Sequence, residues 1–210
     1  MLIIKSKIAK EELAVFDKEV FEGNIFVVET EDETRQAVAY LMKHPVLGID
    51  SETKPSFTKG QNHVVALLQI STETYCFLFR LNRIGFPDSL ARLLENEEIL
   101  KVGLSLRDDF LALHKRGGFS PNSCIELQEM VKGFGIQDKS LQKVYGILFG
   151  KKISKSQRLS NWEADVLSES QKMYAATDAW ACYRIYRLLD ELRQTGDYKV
   201  EKIVDTEEEK

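Results

Sequence analysis

Apolar residues recur along this chain in two rhythms, and each rhythm marks a kind of element. The run NIFVVET (24–30) is short, apolar and β-branched, which predicts a strand. Thr30 with Glu33 three residues on forms a capping box, so a helix is expected from there to about Lys43. Further strands are expected at 46–52 (VLGIDSE), 63–71 (HVVALLQIS), 75–79 (YCFLF) and 99–104 (ILKVGL). The short polar joint between 71 and 75 predicts an antiparallel hairpin. Helical spacing returns at 88–96, at 106–118 (where Gly117 and Gly118 stop it), and at 140–150. A long helix is expected from about Ser168 to Leu192, opened by a second capping box of Ser168 and Gln171. Residues 6–19 predict a leading helix, and the charged stretch from about 203 to 210 a frayed tail.

Hairpin strands followed by strands alternating with helices imply an α/β fold, a mixed sheet covered by helices. In such a sheet, ligands bind beyond strand ends near a change in strand order. With 210 residues, 43% hydrophobic and 30% charged, and no Gly/Ser-rich linker, the chain reads as one domain, 1–210, with a core from about 24 to 195. A net charge of −4 gives no general attraction to nucleic acid, so any such binding rests on a cation-loaded site or a local basic rim. No stretch approaches the roughly 20 apolar residues of a membrane span. The three cysteines are scattered without CxxC pairing, which argues against zinc and points to a reducing, cytoplasmic setting.

The candidate chemistry lies in three acidic elements. In LGIDSET (47–53) a core strand runs into Asp50 and Glu52, which sit two apart and so on one face, where each raises the other's pKa. In KVGLSLRDDF (101–110) another buried strand runs into two aspartates. Helix phase places Asp109 about 60° from the stripe of Leu106, Phe110 and Leu113, and Asp108 on the opposite side. In YAATDA (174–179), Tyr174 and Asp178 share a helix face with Gln171, Cys182, Ile185 and Leu189, and an acid on a packed face needs a partner or a cation. Four acids brought together from strands and helices are what a two-cation site for phosphoryl transfer requires, and hard oxygen ligands suit Mg²⁺ or Mn²⁺.

The DxE, the G-x5-D after a strand and the late YxxxD resemble the DEDD 3′–5′ exonucleases of the tyrosine subclass, which include ribonuclease D and the Werner syndrome exonuclease domain. The resemblance runs from about Val46 to Tyr186 and includes VVALLQIS (64–71), SLQKVYGILFG (140–150) and SNWEADVLSESQKMYAATDA (160–179). It implies a ribonuclease H-like fold and removal of nucleoside 5′-monophosphates from a nucleic acid, DNA or RNA, with a free 3′ end. It also implies two divalent cations held by Asp50, Glu52, Asp109 and Asp178, with Asp50 shared, and a water oriented by Tyr174. Met173, five before Asp178, stands where the histidine subclass carries its base.

Two departures from the family pattern stand out. Asp165 and Val166 occupy places where relatives often carry Arg-Pro, and Glu126 replaces a usual aspartate. Lys101, Arg107, Lys151, Lys152, Lys155 and Arg158 are candidates for a phosphate-binding rim, with Lys155 matching a lysine of relatives. Phe57, just after the first motif, is placed to stack on a terminal base or to pack in the core. A catalytically silent nucleic-acid-binding or scaffold module on the same fold is the alternative reading, and a carboxylate-metal phosphatase a further one.

Overall fold

The computed structural model describes residues 1–58 and 60–203. In chain order the strands are β1 (Leu2–Lys5), β2 (Asn24–Val28), β3 (Val46–Thr53), β4 (Val65–Ser71), β5 (Tyr75–Phe79), β6 (Leu100–Gly103), β7 (Cys124–Glu126) and β8 (Tyr198–Glu201). The helices are α1 (Lys10–Ala14), α2 (Glu31–Leu41), α3 (Leu81–Ile84), α4 (Asp88–Glu95), α5 (Leu106–Leu113), α6 (Leu127–Gly133), α7 (Leu141–Phe149) and α8 (Glu169–Thr195). Six strands form one sheet in the order β2-β5-β4-β3-β6-β7. Antiparallel pairing joins β3 to β4 and β4 to β5, and the remaining pairs are parallel. This is the ribonuclease H-like mixed sheet, with helices on both faces.

Alternation along the strands divides the core. Leu47, Ile49, Leu68 and Ile70 point to the face covered by α2, α4 and α5. Leu67, Cys76 and Leu78 point to the other, under α8 and its Ala175, Ala176 and Ala179. Both capping boxes form as the sequence predicts: Thr30 with Glu33 opens α2, and Ser168 with Gln171 opens α8. Among the described residues no helix is long and apolar enough to cross a membrane.

Several boundaries differ from expectation. The leading helix expected over 6–19 is confined to Lys10–Ala14. The backbone on either side is engaged elsewhere, because β1 pairs in parallel with β8 and the Glu19 N–H donates to the Lys152 carbonyl. Such partners lie more than a hundred residues away, beyond the reach of a local pattern. The helix expected over 106–118 ends at Leu113 and closes in turns as far as Gly117. β7 and α6 had no distinct periodic signal, being only 3 and 7 residues long. The expected frayed tail falls almost wholly on 204–210, outside the described residues.

The position of α8 on the sheet is set by Gly48. A Cβ there would lie 2.1 Å from the Ala179 carbonyl oxygen and 2.9 Å from the Tyr183 nitrogen, so only a residue without a side chain lets helix and strand backbones meet. Gly48→Ala must therefore push α8 off β3, and both obstacles are backbone atoms that cannot swing aside. We expect it to lower stability by roughly 3 kcal/mol, the upper end of overpacking costs, as measured by urea unfolding. A variant as stable as the parent would show that α8 can shift at little cost.

Candidate active site

Asp50 and Glu52 are not at a strand end, as the sequence implied, but inside β3, which continues to Thr53. They are nevertheless accessible from one side. The parallel pairing of β3 with β6 stops at Gly48–Val102, whereas the antiparallel pairing with β4 continues to Thr53–Val65. Past Gly48 the β6 side of the strand is thus open, and the crevice lies where the sheet changes from antiparallel to parallel neighbours.

Two helices fill that crevice with acid. Gly103 ends β6 so close to β3 that a Cβ there would lie 2.7 Å from the Ile49 carbonyl oxygen. Ser105, in the left-handed conformation at φ 68°, then turns the chain into α5. Asp109, in the first turn of α5, accepts a 2.5 Å hydrogen bond from the Ser51 hydroxyl. As helix phase predicts, Asp109 is half-buried and Asp108 is exposed. From the other face α8 brings in Asp178, only 4% exposed, next to the Ala179 that rests on Gly48. One ligand oxygen from each of Asp50, Glu52 and Asp178 lies within 4.8 Å of the other two. Asp109 stands outside that trio, yet it is the strongest charged influence on Asp50.

The electrostatics follow from this crowding. Burial, reinforced by Asp109, Asp178 and Glu52, raises the Asp50 carboxyl well above the usual range. Burial also pushes Glu52 up to about 9, with Asp178 and Asp109 adding to it and Arg158 opposing. Asp178 is pushed up to about 7, chiefly by burial, against a hydrogen bond from Tyr174 and the charge of Lys155. Asp109 is pushed up to about 6 by burial, against the Ser51 hydrogen bond. Tyr174, 6% exposed and with its ring centroid 6.0 Å from that of Trp162, has its phenol raised far above normal by burial and then by the neighbouring acids. The phenol is therefore favoured in its neutral form.

A divalent cation fits this donor set. The ligands are hard carboxylate oxygens converging from a strand and a helix, and Asp178 Oδ1 is buried with no hydrogen-bond partner. Asp50, Glu52 and Asp178 could hold one ion.

Of the candidate basic residues, Lys155 and Arg158 act on the acids, through Asp178 and Glu52 respectively. Three others are committed elsewhere. Lys101 is fully buried and donates 2.5 Å to the Asn96 carbonyl, Lys151 pairs with Asp17 at 3.1 Å, and Lys152 donates to the Ala14 carbonyl. Phe57 is 82% exposed on the loop after β3, so it is not a core residue. Glu126 is a structural buttress. Its Oε1 accepts from the Gln128 N–H, capping α6, and from the Ser105 N–H at 2.8 Å, fixing the turn into α5. Sequence reasoning missed Ser51 and Ser105, whose roles depend on where the neighbouring helix begins.

Comparisons with known proteins bear on the family and the fold. A family model described as 3′-5′ exonuclease matches residues 25–193. The chain is 35% identical over 157 residues to the mouse bifunctional 3′-5′ exonuclease/ATP-dependent helicase WRN, covering 72% of this chain and 11% of that protein. It is 34% identical over 152 residues to an Arabidopsis thaliana 3′-5′ exonuclease, covering 70% of this chain and 53% of the other. It thus spans about a tenth and about half of these two relatives. The solved structure of Escherichia coli RNase D superposes with a TM-score of 0.73 at 22% identity, covering 82% of this chain and 46% of that one, a likeness of fold.

The raised carboxyls make the cation-free protein sensitive to pH. Each such acid keeps its proton to higher pH when folded than when unfolded, where release occurs near pH ~4. Between those limits the folded state binds more protons, so stability falls as pH rises. With chelator present, the melting temperature should decline from about pH 5 to about pH 9, most of the loss coming as Asp109, Asp178 and Glu52 ionise in turn. Mn²⁺ should restore it by binding the folded state alone, and Asp50→Asn should flatten the decline by removing one charge. A flat chelated profile in calorimetry would show that the four acids ionise freely in the fold.

Proposed function

The chain belongs to the DEDD family of 3′–5′ exonucleases, and we propose that it hydrolyses the terminal phosphodiester bond of a nucleic acid with a free 3′ end, using two divalent cations, Mg²⁺ or Mn²⁺. The observation that carries this is the convergence of the Asp50, Glu52 and Asp178 oxygens within 4.8 Å, with Asp109 facing the same crevice. Cations bound there would neutralise the phosphate and favour ionisation of the attacking water.

The side chains divide the remaining work. Tyr174 lies one helical turn before Asp178, and its neutral hydroxyl orients the water for attack on the terminal phosphorus. The water oxygen bonds to phosphorus as the P–O3′ bond breaks. The departing 3′ oxygen takes up a proton, and the released nucleotide keeps its 5′-phosphate. The shortened strand again ends in a 3′ hydroxyl and can re-enter the site. Lys155 and Arg158, exposed beside the acids, hold backbone phosphates. Phe57 offers its ring to the terminal base, a contact indifferent to sequence.

The test is digestion of 3′- and 5′-labelled single- and double-stranded RNA and DNA with Mg²⁺ or Mn²⁺. Nucleoside 5′-monophosphate should appear from the 3′ end. WRN is named as an exonuclease/helicase and the E. coli neighbour as an exoribonuclease, so both sugars belong in the assay. Asp50→Ala should abolish cleavage and the cation-induced rise in melting temperature while the far-UV spectrum stays native. Asp109→Asn should cost orders of magnitude in rate, and Asp108→Asn little. Binding of nucleic acid without cleavage by the parent protein would favour a silent module instead.

Tyr174→Phe separates catalysis from structure. The ring is retained, so stability should change by less than about 1 kcal/mol. Loss of one positioning hydroxyl should lower the single-turnover rate roughly tenfold to a thousandfold, with substrate binding and the cation-induced melting shift unchanged. A wild-type rate would reduce Tyr174 to a packing role, whereas loss of cation binding would make it a support for the ligands.

A further inference from the structure

Among the described residues, buried side-chain polar atoms without a hydrogen-bond partner occur on Gln69, Ser89, Trp162 and Asp178. Three of these residues lie on the α8 side of the sheet, around the acidic site. Gln69 is the most conspicuous, because it is fully buried and both Oε1 and Nε2 lack partners. An unmade hydrogen bond on a buried amide is unfavourable, and replacing such a group by an apolar one of the same shape costs little. An amide held there without a partner in the fold implies a partner supplied by function.

The register identifies that partner. Gln69 of β4 lies directly opposite Asp50 of β3 and opposite Leu78 of β5. Directly opposed residues share a face, with Cβ atoms about 4.5–5.5 Å apart. Along its own strand the neighbours on that face are Leu67 and Ser71, and the Ser71 hydroxyl already donates 2.8 Å to the Thr72 carbonyl. The helix packed above contributes Ala175, Ala176 and Ala179 to this apolar cluster. Asp50 is therefore the acidic cross-strand neighbour of the amide, although no hydrogen bond joins the two side chains in the cation-free fold.

We propose that Gln69 is a positioning residue for cation binding: when the acids hold cations, its side-chain NH₂ turns to donate to the Asp50 carboxylate and fixes the orientation in which that carboxylate meets them. The inference rests on the two-cation reading of the site. An ionised Asp50 offers about four lone-pair directions, and two cations leave some of them free. A donor fixed in the neighbouring strand occupies one without competing for the metal. Hydrogen-bond partners behind a metal ligand typically contribute ten- to a hundredfold in affinity.

This role predicts a combination that a structural glutamine would not give. In Gln69→Leu the unpartnered amide is replaced by an apolar group of similar size, so the chelated protein should melt at the same temperature or higher. Its Mn²⁺ affinity, measured by calorimetric titration, should nevertheless fall ten- to a hundredfold, with the cation-induced melting shift shrinking accordingly. Gln69→Met, which keeps length and flexibility, should behave likewise. Mn²⁺ affinity within twofold of the parent in either variant would overturn the proposal. So would loss of the chelated fold in both, since the amide would then be needed for folding itself. A parent protein that takes up no Mn²⁺ would instead defeat the two-cation reading, and the Gln69 role would fall with it.

Discussion

The site depends on one contact between backbones, the Ala179 carbonyl of α8 resting on Gly48 of β3. Asp178 precedes Ala179 and Asp50 follows Gly48 by two, so the contact that sets the helix on the strand also sets the distance between their acids. Ala175 and Ala176 continue the small surface along α8. The arrangement places ligands on a strand and a helix in the core rather than on loops, which is how a site is held to the tolerance that catalysis requires.

That rigidity has an electrostatic consequence. Acids on a buried strand and helix cannot move apart when they ionise, so their repulsion must be relieved by bound protons or by cations. Protons suffice at low pH, as the raised carboxyls of Glu52, Asp109 and Asp178 indicate. Near neutrality a single divalent ion supplies two positive charges at a point shared by several of these ligands. The Ser51 hydroxyl tempers the problem at Asp109, and Lys155 and Arg158 do so from the surface. Burial and the same acids hold the Tyr174 phenol in its neutral form.

Much of this was legible in the sequence because it is local. Thr30–Glu33 and Ser168–Gln171 each declare a helix start within four residues, and both form. The choice between Asp108 and Asp109 needed only the phase of one short helix. What stayed hidden depends on pairings distant in sequence. β1 and β8 are paired across nearly the whole chain, and their union shortened the expected leading helix. Gln69 looked like any polar residue in a strand until the register set it against Asp50. Glu126 could be called structural from its position, but its hold on the Ser105 N–H follows only from the turn between β6 and α5.

The departure at Asp165 and Val166 has a physical resolution in the segment that carries Lys155 and Arg158. Both departing side chains face solvent, and the segment is held by its backbone instead. Arg80, 1% exposed, donates to the Ala164 carbonyl and, at 3.1 Å, to Glu29. Arg83 donates 2.6 Å to the Asp165 carbonyl. A carbonyl is offered by every residue, so this part of the grip needs no particular side chain at 165 or 166, and the exposed Asp165 carboxylate adds a 3.4 Å contact to Arg83. Farther along, Glu163 lies 3.0 Å from His63 and 3.4 Å from Lys54, which ties the segment to the loop bearing Phe57. Gln171, at the start of α8, donates 3.1 Å to the Asn161 carbonyl. Lys155, Arg158 and the exposed Phe57 ring thus belong to two segments joined to each other through Glu163 and to the start of the helix that carries Tyr174 and Asp178.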